Sequence, residues 1–268
     1  MTARNWDRTL VYGGAFLLAA WVIVPFYLIA LSAFSRPDDV FTYPKPLLPV
    51  ALSTETMDFF LRSRGVFASV LNSIAVAVIT IVLGLALGAP AGYALARFAF
   101  PGRSGFQLII LVTKMFPVAI LSIPLAVTFL QLGLYDNILG VALIHTAMAL
   151  PFIVLVTAGV FAGVSNELEE AAMTLGCSRF TAFLRVALPL ALPGLAAAAI
   201  FTFVISWNEV FAATILTLRQ RTLPALVLGA LNDSPLYFKF AGGFFMVLPA
   251  IVFIFFMRRY LLNLWGAR

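Results

Sequence analysis

The chain has 268 residues, of which 63% are apolar and only 10% charged, a balance far outside that of a water-soluble domain. Its net charge of +6 comes from basic residues scattered along the chain without any recurring aromatic and basic cluster, which excludes a nucleic-acid surface and points to anchoring in anionic lipid. A single cysteine, Cys177, and a single histidine, His145, leave no internal disulfide and no cysteine-rich metal site.

Stretches free of Asp, Glu, Lys and Arg run from Thr9 to Ser35, Gly65 to Ala96, Asn137 to Asn166 and Phe240 to Met257. Two further runs, Ser104 to Tyr135 and Val186 to Leu218, carry one charge each, Lys114 and Glu209. A helix crosses a hydrocarbon core of about 30 Å with about 20 residues, and the shortest run reaches that length once Arg258 and Arg259 snorkel. The pattern predicts an all-α polytopic membrane protein with six transmembrane helices, at about 10–34, 70–95, 107–131, 138–163, 190–216 and 241–261. Residues 1–268 read as a single transmembrane domain that includes the first run, which is too long for a signal h-region and lacks a small-residue cleavage site.

Six crossings put both termini on one side. A cytoplasmic placement sets Arg4, Arg8, Arg97, Arg103, Arg179, Arg185, Arg258, Arg259 and Arg268 inside, and Arg36, Lys45, Arg62, Arg64, Arg219, Arg221 and Lys239 outside. The inside charges crowd the helix ends, where the positive-inside rule applies best, whereas several outside ones are diluted by Asp38, Asp39, Glu55 and Asp58.

The runs are punctuated. Gly84, Gly88, Pro90 and Gly92 fall together in the second, Pro117 and Pro124 in the third, Pro151 in the fourth, Pro189, Pro193 and Gly194 in the fifth, and Pro249 in the sixth. Each internal proline frees a carbonyl that must face a neighbouring helix or a water-filled cavity, and small residues such as Ala196 to Ala199 let helix backbones approach closely. His145 has no acidic or thiol neighbour within a helical turn and reads as a hydrogen-bonded helix-packing residue.

Between the fourth and fifth runs, residues 165–188 form a polar island. Asn166 and Glu169 have the spacing of an N-cap with an N3 carboxylate, and Glu167, Glu169 and Glu170 suit a helix N-terminus. Leu168, Ala171, Ala172 and Leu175 make one apolar stripe, Gly176 stops the helix, and Ser178 caps a second short helix carrying Phe180, Phe183 and Leu184. No part of the chain obviously covers this apolar surface, which marks a docking site.

Glu170-Ala171-Ala172, then Gly176, then Leu188-Pro189 resembles the EAA loop of binding-protein-dependent ABC importer permeases. Leu175-Gly176-Cys177 departs from the usual Asp-Gly-Ala and removes one polar contact with the ATPase. Ala96-Arg97-Phe98-Ala99-Phe100-Pro101-Gly102, Met115-Phe116-Pro117, Trp207-Asn208-Glu209 and Thr222-Leu223-Pro224 extend the likeness over nearly the whole chain. Together these segments resemble MalG-like permeases of the carbohydrate-uptake group.

The resemblance implies a type I importer permease fold in a bacterial inner membrane, carrying a sugar or related polar solute. It implies a second homologous permease, two ATP-binding subunits and a periplasmic solute-binding protein as partners, with ATP and Mg on the partner ATPase and no cofactor in this chain. No lysine follows a glycine, so the chain has no Walker A loop of its own. The resemblance assigns ATPase coupling to Glu169, Glu170, Ala171, Ala172, Gly176, Arg179 and Phe180, with Glu170 facing a basic residue of the ATPase. It assigns binding-protein contact to the segment from Arg219 to Lys239, through Arg219, Arg221, Thr222, Asn232 and Asp233.

An ionisable side chain at membrane depth is costly unless it is paired or lines water. For Lys114 and Glu209 three arrangements are open: a mutual pair, a cavity lining that touches solute, or a place for Glu209 near the periplasmic end. Lys114 suits the cavity and an anionic or strongly hydroxylated solute, and Phe116, Trp207, Asn208 and Glu209 complete the expected pathway set. Other solutes, such as a polyol or a phosphate or sulfonate ester, fit the same plan. An ion-coupled secondary transporter would show internal repeats, and none is detectable.

Overall fold

The computed structural model describes residues 3–44, 46–48, 51–230 and 234–266, so Asn232 and Asp233 lie outside the described residues. All regular structure among them is helical, as expected. The chain divides into two compact units, residues 1–67 with 229–249 and residues 68–228 with 250–268.

In the first unit, α1 (Ala3–Ala33) is long and apolar, with Trp21 82% exposed on a face suited to lipid or another subunit. The chain then returns to the end of this helix, where Ser53 N donates to Phe34 O and Thr56 Oγ1 to Ser35 O, at 2.8 and 2.9 Å. Those bonds seat α2 (Glu55–Arg62), whose Phe60 is fully buried against the rings of Phe238 and Phe245.

The second unit is built on α3 (Val66–Arg97), α6 (Ile138–Ala162) and α9 (Leu188–Trp207). Gly84, Gly88 and Gly92 recur every four residues and so share one face of α3. A Cβ on Gly84 or Gly88 would stand 2.5 Å from Ile153, and one on Gly92 would stand 2.1 Å from Thr157 Oγ1 and 2.7 Å from Ala158 N. Thr157 Oγ1 donates to Gly88 O across this seam at 3.1 Å. Gly194 of α9 meets Val160 of α6 in the same way, which leaves α6 packed between its neighbours.

Among the described residues, four helices are long and apolar enough to cross a membrane: Leu10–Ala33, Val66–Arg97, Ile138–Ala162 and Arg179–Trp207. The expected third crossing, 107–131, is two shorter helices, α4 (Arg103–Thr113) and α5 (Val118–Gln131). Pro117, with ψ 124°, separates them, because proline offers no N–H and steers the preceding residue out of helical conformation. The expected fifth helix, 190–216, ends at Trp207, and a short α10 (Phe211–Leu216) follows. Pro151 lies inside a continuous helix, so the interruption expected there does not occur, and Pro193, expected at the opening of the fifth helix, lies inside α9. The expected sixth helix falls within α12 (Leu236–Gly266).

The polar island folds as α7 (Asn166–Thr174) and α8 (Arg179–Ala182). The cap of α7 is Ser165, whose Oγ accepts from Glu167 N at 3.3 Å, and Asn166 is the first helical residue, a shift of one position from the expected cap. Gly176 takes the left-handed conformation, φ 93°, with Cys177 N closing onto Ala172 O, so it stops the helix as its sequence position predicts. Ser178 caps α8 by accepting from Thr181 N. A π-helical turn at 183–187 then joins α8 to α9 without a break at Pro189, and it carries Phe183 inward, away from the exposed face on which it was expected.

Candidate functional site

Arg97 and Tyr93 stand four residues apart and share a face at the end of α3. That face meets Glu169, the one buried residue of α7. Arg97 Nη2 lies 2.7 Å and Nε 2.8 Å from Glu169 Oε1, while Tyr93 Oη donates to Oε2 at 2.5 Å. Arg97 Nη2 also donates to Val164 O at 2.9 Å, so one guanidinium holds α3, α7 and the linker that follows α6. Glu169 and Arg97 are 6% and 10% exposed, and removing one partner of such a buried pair costs about 3–5 kcal/mol. With Ser165 as the cap, Glu169 is the fourth helical residue and not the third, and its carboxylate turns inward, where two charge-assisted bonds and a phenol hold it.

The outer face of the same elbow is bare. Leu168, Leu175 and Phe180 are 49%, 87% and 70% exposed, and Glu170, Ala171, Gly176 and Arg179 are exposed beside them. Ala172 is half-buried, and the Arg179 guanidinium sits 5.2 Å above the Phe98 ring. Of the expected coupling set, the structure thus gathers all but Glu169 on an accessible or partly accessible surface.

The expected pathway set is divided. Lys114 and Phe116 border a cavity of about 280 Å³ at the break between α4 and α5, closed on the other side by Ile144, Ala147, Met148 and Pro151 of α6. Pro151 has no N–H for the Ala147 carbonyl four residues earlier, and the Lys114 ammonium donates to the next carbonyl, Met148 O. Lys114 is the one charged group among these otherwise mostly apolar walls.

Glu209 faces away from this cavity and is not paired with Lys114. Its Oε2 lies 3.1 Å from His145 Nε2, and His145 Nδ1 lies 2.8 Å from Ser206 Oγ. Its two oxygens also accept from the backbone N–H groups of Phe211, Ala212 and Ala213, capping α10. This is an architectural role, and it supplies the hydrogen-bonded packing expected of His145. Trp207 is buried and stacked on Phe203 at 5.6 Å, whereas Asn208 is exposed, its side chain donating to Val204 O at 2.9 Å.

The segment after α10 is held at both ends. Asp136 Oδ1 accepts from the N–H groups of Leu218, Arg219 and Gln220 at 2.9, 2.8 and 3.0 Å. Asn72 Nδ2 donates to Arg221 O, and Leu223 N donates to Ser73 Oγ. Arg219 is exposed and Arg221 half-buried, but Thr222 is only 3% exposed, so its side chain is withdrawn from the contact surface expected of it.

Tyr93, Asp136, Asn72, Ser73 and Ser206 are absent from the sequence-based site set. Only Tyr93 left a local signal, an aromatic four residues before a helix-terminal arginine.

Residues 84–263 match the family described as binding-protein-dependent transport system inner membrane component. The chain belongs to that family. The permease is 33% identical over 263 residues to the trehalose transport system permease protein SugB of Mycobacterium tuberculosis, covering 94% of this chain and 90% of that protein. It is 31% identical to the diacetylchitobiose uptake system permease protein DasC of Streptomyces coelicolor, over 73% and 71% of the two chains. Its fold is shared, at TM-score 0.76 and 24% identity over 97% of this chain and 99% of the other, with a bacterial ABC transporter involved in the import of the acidic polysaccharide alginate. The permease is a transport component of an inner membrane rather than an enzyme.

Proposed function

We propose that the permease forms half of the translocation pathway of an ATP-driven importer for a sugar or a related polar solute. It pairs with a second homologous permease, receives solute from a periplasmic binding protein through the Arg219 and Arg221 segment, and is driven by two cytoplasmic ATP-binding subunits that carry ATP and Mg. The chain crosses the membrane six times as one domain, with α4 and α5 together making the third crossing, α9 with α10 the fifth and α12 the sixth. Both termini and the elbow of α7 and α8 lie in the cytoplasm.

The observation that carries this reading is the elbow: a short acidic and apolar surface, with Leu175 87% and Phe180 70% exposed, on a segment whose inner face is tied down. Exposed apolar area of this kind needs a protein partner when it lies outside the hydrocarbon. The double substitution Leu175→Asp with Phe180→Asp should lower co-purification of the ATPase by at least about tenfold, since burying two new carboxylates at an interface costs more than the 1.4 kcal/mol that a factor of ten requires. Uptake of labelled trehalose and diacetylchitobiose into proteoliposomes holding the full complex tests the cargo. Full ATPase retention by the double variant would overturn the docking assignment.

A second reading of the cargo, an anionic solute such as a phosphate or sulfonate ester, is favoured by Lys114, a lone cation on an apolar cavity wall.

A further inference from the structure

The buried Glu169 does something different from its exposed neighbour Glu170. We propose that Glu169, Arg97 and Tyr93 form a fixed joint that makes the docking elbow and the membrane helix α3 move as one body, so that Glu169 is a positioning residue of coupling and not part of the ATPase-facing surface. The inference rests on the reading of α7 and α8 as the ATPase-docking elbow.

The geometry gives the joint its stiffness. Both carboxylate oxygens are engaged, Oε1 by two guanidinium nitrogens at 2.7 and 2.8 Å and Oε2 by the Tyr93 phenol at 2.5 Å. Two guanidinium nitrogens on Oε1 alone would leave that oxygen as a pivot, and the Tyr93 bond to Oε2 closes it, so the three bonds together resist rotation as well as separation. The same Nη2 also reaches Val164 O in the linker from α6, so α7 cannot swing about that linker without straining the same set of bonds. Rings complete the packing: Tyr93 lies 5.4 Å from Phe161 and 4.5 Å from Phe183, at the ends of α6 and α8. From the joint, α3 runs without interruption into the glycine seam, where Gly84, Gly88 and Gly92 allow it no lateral slack against α6. A force applied to the exposed elbow is thereby delivered to α3, whereas a loosely hinged elbow would absorb it locally.

Nitroxide labels on Thr174→Cys in α7 and Ala99→Cys just beyond α3, in a Cys177→Ser background, read the joint directly in the full complex. The distance distribution should be narrow and the same in the nucleotide-free and ATP–vanadate-trapped states. With Glu169→Ala added it should broaden and differ between the two states, and the ATP turnover that accompanies each transport cycle should rise by at least about fivefold, the lower range for a lost coupling between sites. Where Glu169→Ala fails to fold in the membrane, Tyr93→Phe, which deletes one oxygen and keeps the ion pair and ring packing, carries the test by the same broadening.

A distance that shifts with nucleotide in the parent complex overturns the joint, as does an unchanged distribution in the variant. Loss of ATPase co-purification in Glu169→Ala also overturns it, because Glu169 would then belong to the docking face. Retention of the ATPase by Leu175→Asp with Phe180→Asp would remove the docking reading and the joint's role with it, a result distinguishable from the first three.

Discussion

Asp136 adopts a left-handed backbone conformation, φ 54°, and closes onto a loop more than eighty residues away, with three successive N–H groups converging on one oxygen. Burial pushes its carboxyl pKa up, but the three backbone donors and the Arg219 charge outweigh that and hold it below its ordinary value. A depressed carboxyl contributes stability that is present above the unfolded pKa, about 3.9, and is lost as pH falls through the lower folded value. Asp136→Asn should therefore cost about 1 kcal/mol near neutrality, the discounted worth of a charge-assisted bond at a half-exposed site. The melting temperatures of variant and parent in detergent should converge below about pH 4. A gap that stays constant as the pH falls well below that value would refute the account. Neither Asp136 nor its targets announce themselves in the sequence, because a carboxylate that serves distant backbone N–H groups has no local partner to mark it.

Helices carry a different kind of information. The spacing of Gly84, Gly88 and Gly92 was legible as close packing, but which helix they approach was not, since every apolar run offered small and branched residues. In the structure the cost of a side chain depends on what it meets. Gly92→Leu collides with Ala158 N, a backbone atom that cannot rotate away, and should destabilise the protein by roughly 3 kcal/mol, the upper part of the overpacking range. Gly159→Ala, with open space around its Cβ, should be neutral or stabilising by up to about 1 kcal/mol through helix propensity. Thermal unfolding followed by fluorescence-detected size exclusion separates the two, and equal effects would sink the seam. Pro117 separates two helices whereas Pro151 and Pro193 lie inside continuous ones, so residue type alone did not say which proline ends a helix.

At the scale of the whole molecule, the proposed solute pathway is tested at the single charge of the cavity, Lys114. Lys114→Met preserves the apolar stem and removes the ammonium. In proteoliposomes with all partner subunits, the apparent affinity for an anionic sugar should fall about tenfold, the equivalent of 1.4 kcal/mol, while that for trehalose stays unchanged. Equal affinities for both solutes before and after the substitution would remove Lys114 from the pathway. Glu209, grouped with it in the expected pathway set, serves His145 and the start of α10, so the two charges within the apolar runs answer the same energetic problem by separate means: one through a helix cap and an imidazole, the other through a carbonyl at a cavity rim.

Composition and periodicity by themselves determined that this is a helical membrane protein with a polar elbow between its fourth and fifth apolar runs, because hydrocarbon tolerates only long apolar helices and rejects uncovered charge. The motif spacing around Glu170 and Gly176 was enough to place the chain among importer permeases. Only the tertiary structure decided which carboxylate of the elbow faces inward, which charge caps a helix and which rims the cavity. Such choices depend on partners 34 to 76 residues distant, and a one-dimensional pattern does not encode the direction in which a side chain finds its counter-charge.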